Sequence, residues 1–305
     1  MKPKVYIDGK EGTTGLQIYD RLASRDDIEL LLIDETKRKD PDERKKLINA
    51  ADITFLCLPD AASKEVMPLL RPDVKVLDTS TAFRTDAAWD YGFPELAGQK
   101  EKIKNSCRVA VPGCYASGFI SIARPLVELG LAPADYPFSC TGISGYSGGG
   151  KKMIAEYESP DRPAHSKLDA PKSYGLSLGH KHLPEMQKIC GLDIPPVFCP
   201  IVDDYYKGMA VTVMLQNSML KGNPTAKDIH GALAAHYDGK KVVKVHPFGY
   251  EDPMIAAGTM AGKDSMELVV NGHEGQTIIT ALFDNLGKGA SGAAVQNMNM
   301  MLGFE

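Results

Sequence analysis

Cys114 stands at a junction where a thiol can act as a nucleophile. The run Ala110-Val111-Pro112-Gly113 ends in Pro-Gly, and the cysteine opens a helix-spaced segment from Ala116 to Leu129. A sulfur there faces unpaired backbone N–H groups and the positive end of a helix, which together lower a thiol pKa. The same N–H groups suit an oxyanion. The usual alternative is a buried inert thiol. Cys57, Cys107, Cys140, Cys190 and Cys199 fit that alternative, each in or beside an apolar strand or helix. Gly179-His180-Lys181-His182-Leu183-Pro184-Glu185 adds two imidazoles and an acid at an expected helix start. Imidazole is the usual acid or base near neutral pH, and an activated thiol commonly pairs with a sequence-distant histidine. Either His180 or His182 fits. His230, His236, His246 and His273 lack such company and read as surface or structural.

Gly9-Lys10-Glu11-Gly12-Thr13-Thr14-Gly15 offers a second chemistry. Glycines between a first strand and a first helix allow a tight turn and close approach to a pyrophosphate at the helix N-terminus. The spacing is GxxGxxG rather than the usual GxGxxG, so a ligand-free glycine turn stays open; its place at the start of a βαβ unit favours a dinucleotide. Asp34 ends the second apolar run, where an acid binds the ribose 2′-OH of NAD. Lys37, Arg38 and Lys39 follow and suit the 2′-phosphate of NADP. These residues alone leave NAD and NADP both open.

The elements that must position these groups follow from apolar periodicity. Val5 to Asp8, Ile28 to Ile33, Ile53 to Leu58 and Val74 to Asp78 read as strands, with Ile28 to Ile33 buried on both faces. Helical spacing over Gly15 to Arg25, Pro41 to Ala51 and Ser63 to Leu70 separates them. The alternation predicts an open parallel α/β sheet with its ligand crevice at the carboxyl ends of the strands. After Cys114 the runs Val197–Val202, Met209–Leu215, Val242–Val245, Met266–Val270 and Thr277–Leu282 predict a mostly antiparallel sheet in an α+β domain. The small-residue tail Gly289 to Leu302 predicts a helix packed back on the first domain. The division expected is 1–113 with 285–305, and 114–284.

Composition narrows the classes. With 305 residues, 43% hydrophobic and 24% charged, the chain is an ordinary globular protein of two domains. A net charge of −4 without a basic tract gives no reason to expect nucleic acid. No segment reaches the roughly 18 apolar residues of a membrane span. The start MKPKVYIDGKEG has no signal-peptide core, and the six cysteines show no paired framework. A cytoplasmic protein with reduced thiols and no metal site is expected.

At these residues the chain resembles the short form of N-acetyl-gamma-glutamyl-phosphate reductase, in the aspartate-semialdehyde dehydrogenase superfamily. The resemblance rests on the glycine turn, Cys57-Leu58-Pro59, Asp78-Thr79-Ser80-Thr81-Ala82-Phe83-Arg84 and Tyr91-Gly92-Phe93-Pro94-Glu95-Leu96. It continues through Val111 to Tyr115, Ser144-Gly145-Tyr146-Ser147-Gly148-Gly149-Gly150-Lys151, Gly179 to His182 and Asp284-Asn285-Leu286-Gly287-Lys288-Gly289-Ala290-Ser291-Gly292. Ser117 stands where many members have threonine, which keeps the hydroxyl. The resemblance implies a Rossmann-type parallel-sheet domain and an α+β domain. It also implies NADPH as cofactor and a small acyl phosphate reduced to its semialdehyde through a thioester on Cys114. It assigns the substrate to Arg84, Ser144 and Gly145. It assigns the cofactor to Gly9, Gly12, Thr13, Thr14, Gly15, Lys37, Arg38, Pro59, Ser80, Gly148 and Asn285. A homodimer or homotetramer is expected. An aspartate-semialdehyde dehydrogenase is the alternative enzyme, and a non-catalytic dinucleotide sensor the alternative class.

Overall fold

The structure, a computed structural model, describes residues 2–304. Contacts divide the chain into one unit of residues 1–112 with 290–305 and another of residues 113–289.

The first unit contains β1 (Lys4–Asp8), α1 (Thr13–Leu22), β2 (Glu29–Leu31), α2 (Pro41–Ala50), β3 (Ile53–Leu56), α3 (Asp60–Val66), β4 (Lys75–Asp78), β5 (Asp90–Tyr91), α4 (Gln99–Asn105) and β6 (Arg108–Ala110). Its strands run in the order β2-β1-β3-β4-β6-β5, every pair parallel. The order reverses between β1 and β3, so the crevice that ligands use in open α/β sheets lies between the ends of those strands. β1 and β3 are buried along nearly their whole length, as central parallel strands must be. The run from Ile28 to Ile33 behaves otherwise. Only Glu29–Leu31 pair, the strand is the sheet's edge, and Leu32 is exposed. An edge strand has one neighbour, so the apolar run there is only half covered. Pro68 ends the expected Ser63–Leu70 helix early, turning Met67–Leu69 into a 3-10 segment.

The second unit contains α5 (Cys114–Glu128), β7 (Ser139–Gly145), α6 (Gly150–Tyr157), β8 (Lys172–Ser173), α7 (Leu183–Cys190), β9 (Val197–Asp203), β10 (Met209–Gln216), α8 (Ala226–Tyr237), β11 (Val243–Val245), β12 (Met266–Gly272) and β13 (Gln276–Phe283). The sheet order is β11-β12-β13-β10-β7-β9-β8, with parallel pairs only at β11–β12 and β7–β9. α5 packs on β10 and β13 with α7 and α8 around it. Gly118 permits that approach, since a Cβ there would lie 2.6 Å from Val211. Pro125, inside α5, lacks the N–H that would reach the Ser121 carbonyl. The Tyr237 hydroxyl donates to that carbonyl instead, at 2.7 Å. α5 therefore stays regular while almost wholly buried.

The tail helix α9 (Gly292–Leu302) packs on α1, α4 and β4. Asn297 donates to the Gly92 carbonyl at 2.9 Å, and the buried Met298 and Met301 join the core of Val5, Ile18 and Phe55. Each such fully buried side chain contributes roughly 1.5–3 kcal/mol of hydrophobic stabilisation. Cys140 and Cys190 are buried, and Cys57 and Cys199 are partly so. Cys107 is exposed, against the expectation, because it sits at the mouth of β6 rather than inside it.

Candidate active site

Cys114 is the first residue of α5, and Gly113 caps the helix in an extended conformation without a side-chain bond. The first N–H groups of a helix have no acceptor within it, and the sulfur emerges at that positive end of α5. The Gly113 amide is already engaged and donates to Glu185 Oε1 at 2.8 Å. Ser117 ties the same residue from inside the helix, its N–H and Oγ both donating to the Gly113 carbonyl, at 2.8 and 3.0 Å. Gly289 lies against the nucleophile, since a Cβ there would stand 3.0 Å from Cys114 Cβ.

The histidine segment reaches the same end of α5. His182 caps α7 and is buried, whereas His180 is half-buried. The His182 amide donates to His180 Nδ1 at 3.1 Å. His180 sits among Tyr115, Tyr174, Phe198 and the His182 ring, with centroids 4.7 to 5.9 Å away. Burial, helped by the Lys181 charge, pulls its pKa down to about 4. Burial and the adjacent Cys114 push the Tyr174 hydroxyl up to about 12. Burial, Tyr174 and Cys114 push Tyr115 up as well. Both phenols therefore stay protonated. Gly142 makes room for the Tyr115 ring, which a Cβ would meet at 2.4 Å.

The second glycine turn follows β7. Ser144 is buried and donates to the Gly145 carbonyl at 3.1 Å. A Cβ on Gly145 would lie 2.6 Å from the Tyr205 and Tyr206 carbonyls, so this glycine is needed for backbone packing. Asn285, also buried, accepts from the Gly208 amide at 2.8 Å and donates to Ser147 Oγ at 3.0 Å. It holds the turn containing Gly148.

In the first unit the glycine turn fits a pyrophosphate. Gly9 has φ +84°, and a Cβ on it would lie 2.4 Å from the Cys57 carbonyl at the end of β3. A Cβ on Gly15 would lie 2.4 Å from the Gly9 carbonyl. Gly12 caps α1 without a side chain, which leaves the amides of Thr13 and Thr14 at an open helix end. A cavity of about 390 Å³ adjoins, walled by Asp8, Lys10, Tyr19, Arg38, Lys39 and Arg44 among others.

Several of the residues expected at the cofactor and substrate sites make contacts within the protein. Lys37 turns toward Glu43, 3.8 Å away, and is not on the cavity wall, whereas Arg38 and Lys39 are. Asp34 is not on the wall either; it caps the 3-10 turn Glu35–Lys37 by accepting from Thr36 N and Oγ1 at 2.8 and 2.7 Å. Those bonds hold its carboxyl below the usual range. Arg84 is buried, and its Nε and Nη2 donate to the Val111 and Thr79 carbonyls at 2.9 and 3.0 Å. It braces the turns after β4 and β6. Ser80 is likewise used within its turn, donating to Asp78 at 2.6 Å and accepting from Ala82 at 3.1 Å, and Pro59 caps α3.

Arg44 carried no signal in the sequence. Its guanidinium reaches Asp8 at 2.8 Å from α2, and only the packing of α2 on β1 brings the two together. Tyr115 and Tyr174 were also missed, although Tyr115 follows the nucleophile directly. Among the described residues no cluster of side chains can hold a metal ion, and no helix is long and apolar enough to cross a membrane.

Over residues 4–106 the chain matches the family model of the semialdehyde dehydrogenase NAD binding domain, and over 114–285 that of the semialdehyde dehydrogenase dimerisation domain. It is 50% identical over 310 residues to N-acetyl-gamma-glutamyl-phosphate reductase of Brucella ovis, spanning 99% of this chain and 100% of that one. It is 47% identical over 316 residues to N-acetyl-gamma-glutamyl-phosphate reductase 2 of a Nostoc species, spanning 99% and 98%. Its fold is similar to aspartate semialdehyde dehydrogenase II of Vibrio cholerae complexed with ASA, with TM-score 0.73, 17% identity and coverage of 99% and 98%. The aspartate semialdehyde dehydrogenase of Francisella tularensis is similar at TM-score 0.72, 13% identity and coverage of 99% and 100%.

Proposed function

The chain belongs to the semialdehyde dehydrogenase family and, within it, to the N-acetyl-gamma-glutamyl-phosphate reductases, and we propose for it their reaction. It is an NADP-dependent oxidoreductase that converts N-acetyl-L-glutamyl 5-phosphate to N-acetyl-L-glutamate 5-semialdehyde, a step of arginine biosynthesis. The observation that carries the chemistry is the thiol of Cys114 on the first residue of α5.

Cys114 attacks the acyl carbon, the C–O bond to phosphate breaks, and the acyl group rests on sulfur as a thioester. Splitting the reaction this way replaces one hard displacement with two easier steps. When bound, NADPH supplies the hydride that reduces the thioester. Collapse of the resulting thiohemiacetal releases the semialdehyde and returns the thiolate. His180 serves the oxygen and proton changes, since it is the half-exposed imidazole; His182 is buried and positions it. In the first unit the amides of Thr13 and Thr14 would hold the pyrophosphate of NADPH, and Arg38 with Lys39 the 2′-phosphate. Gly148 and Asn285 shape the turn after β7, and Arg84 braces the turns after β4 and β6.

The reading includes self-association through the second unit. Met214, Met219 and Ile278 are exposed there beside a cavity of about 510 Å³, and the matched family model is that of a dimerisation domain. It also places the protein in the cytoplasm with reduced thiols, the six cysteines making no disulfide among the described residues.

The test runs the reaction backward. NADPH formation is followed with phosphate, NADP and either N-acetylglutamate semialdehyde or aspartate semialdehyde. A clear preference for the first is expected, and a preference for aspartate semialdehyde overturns the substrate assignment.

A further inference from the structure

α5 begins without a capping side chain. A cap normally satisfies the first N–H groups, and helix ends fray. A nucleophile on the first residue therefore needs support from outside its helix. Glu185 supplies one contact, at the Gly113 amide. A second comes from a turn of unusual width. Gly287–Ser291 is a π-helical turn, in which the Gly289 amide donates to the Asp284 carbonyl, five residues back, at 2.9 Å. Single π-turns are rare and are frequent at functional sites.

Gly289 meets the nucleophile directly. A Cβ on it would stand 3.0 Å from Cys114 Cβ, 3.1 Å from the Asp284 carbonyl oxygen and 3.3 Å from Phe283 Cε2. The turn has no room to withdraw. A Cβ on Gly287 would overlap the Lys263 carbonyl, so the chain is already pressed against the segment before β12. The Asp284 carboxylate accepts from the Leu286 amide at 2.8 Å and from the Gly262 amide, which fixes the start of the turn. The Phe283 ring is fully buried, and a Cβ on Gly118 of α5 would lie 2.9 Å from its Cε1. One ring therefore sets the spacing between α5 and the π-turn, and the Cβ of Cys114 closes it.

We propose that the π-turn Gly287–Ser291 is a positioning element of the reaction, with the bare Cα of Gly289 as the stop against which the Cys114 side chain rests. The inference rests on the reaction proposed above and adds a positioning residue to it. What the position requires is no side chain at all. Carbon atoms pack best at about 3.5–4.0 Å, so a methyl group on residue 289 would intrude on the Cβ of Cys114. The Asp284 and Lys263 carbonyls and the Phe283 ring are all held by their own neighbours, so the yielding partner is the uncapped end of α5. Its sulfur would then be displaced from the acyl carbon. A misplacement of about 1 Å costs roughly 100-fold in rate, and a few tenths of an ångström correspondingly less. Moving the sulfur off the helix end also weakens the support for its thiolate.

Three measurements on the full-length protein test this. Amide hydrogen exchange on the wild type needs no variant. The Ser117 amide makes the first backbone bond of α5, to the Gly113 carbonyl. It should exchange as slowly as the Gly289 amide, about 100-fold or more below an unprotected amide. Unprotected exchange at either overturns the proposal, and this result decides alone if the variants do not fold. Next, Gly289→Ala should lower kcat roughly tenfold. It should also raise the pH at which iodoacetamide alkylates Cys114 at half its maximal rate. The alkylation is read by mass spectrometry of the peptide holding residue 114, because Cys107 is exposed as well. A merely structural glycine would lower the melting temperature without moving that pH. Finally, Phe283→Leu added to Gly289→Ala gives the methyl group the space of the ring edge, and should recover about threefold or more of the lost rate. An unmoved alkylation profile in Gly289→Ala, or a double variant as slow as the two single losses multiplied, overturns the proposal. Exchange and alkylation are read without substrate. A wild type that reduces no acyl phosphate, with both of those results as expected, refutes the assigned reaction and not the stop.

Discussion

The Gly113 amide donates to the buried Glu185 carboxylate at 2.8 Å, so the first turn of α7 grips the residue that precedes the nucleophile. A glutamate at this third helical position commonly bonds back to its own cap amide. Here the cap amide, that of His182, is taken by His180, and Glu185 reaches across to α5. One short segment thus sets both the imidazole and the cysteine. Replacing Glu185 with Ala should leave the Gly113 N–H unsatisfied, a loss of about 1–3 kcal/mol in stability. It should also lower kcat roughly 100-fold through a displacement near 1 Å. Glu185→Gln, whose carbonyl can still accept, should recover most of the rate. Unfolding curves and single-turnover acylation rates read the two effects apart, and wild-type kcat in Glu185→Ala would refute the clamp.

Cys114→Ser should abolish turnover while leaving the NADPH affinity unchanged. The alkoxide route is closed because serine is not ionised where a thiol can be. The groups read as holding the cofactor phosphates lie at Gly9–Gly15 and Arg38–Lys39. Fluorescence titration with NADPH and a turnover assay on one preparation are enough. Residual turnover near the wild-type level would sink the thioester route.

Arg38 and Lys39 line the cavity beside the glycine turn, and Asp34 does not. Arg38→Ala should raise the Kd for NADPH about tenfold, one charge-assisted contact being worth roughly 1.5–3 kcal/mol. It should leave NADH unchanged. Lys37→Ala should change neither, since Lys37 faces Glu43. Equal losses for both nucleotides in Arg38→Ala would mean that the 2′-phosphate lies elsewhere.

What the sequence revealed follows the range of the forces involved. The parallel strands and the glycine turn were legible because burial and backbone freedom are local properties of Val5–Asp8 and Gly9–Gly15. That Ile28–Ile33 forms an edge strand depends on which strands have neighbours, which no local pattern states. Cys114 was legible from the Pro-Gly before it and the helix after it. Glu185 was visible as an acid near two histidines, but its partner Gly113 is 72 residues away. Arg84 was legible as an arginine after the Ser80 turn, but its bonds to the Val111 and Thr79 carbonyls depend on how β4 and β6 pair, which no local pattern states.

Asp8 is buried at the end of β1 and meets Arg44 at 2.8 Å. The carboxylate holds the guanidinium charged and pushes its pKa further up. Arg44→Met should destabilise the protein by about 3 kcal/mol, because it leaves a buried carboxylate without its cation. Adding Asp8→Asn should restore much of the loss, which a double-mutant cycle of denaturant unfolding would show. Additive losses would mean the pair is not coupled.

The His180 imidazole gives a pH prediction whose sign can be worked out. In the unfolded chain its pKa is near the ordinary 6.5, and in the fold burial lowers it to about 4. Between those values the unfolded chain binds a proton that the folded protein does not, so stability rises with pH across the window. The contribution is complete above the unfolded value and is lost as pH falls toward the folded one. Burial depresses His236 in the same direction, so His180→Gln removes only the His180 part of the dependence. Guanidinium unfolding at about pH 5 and pH 7.5 should therefore show a smaller stability difference in His180→Gln than in wild type. Equal differences would mean that the imidazole is not held neutral in the fold.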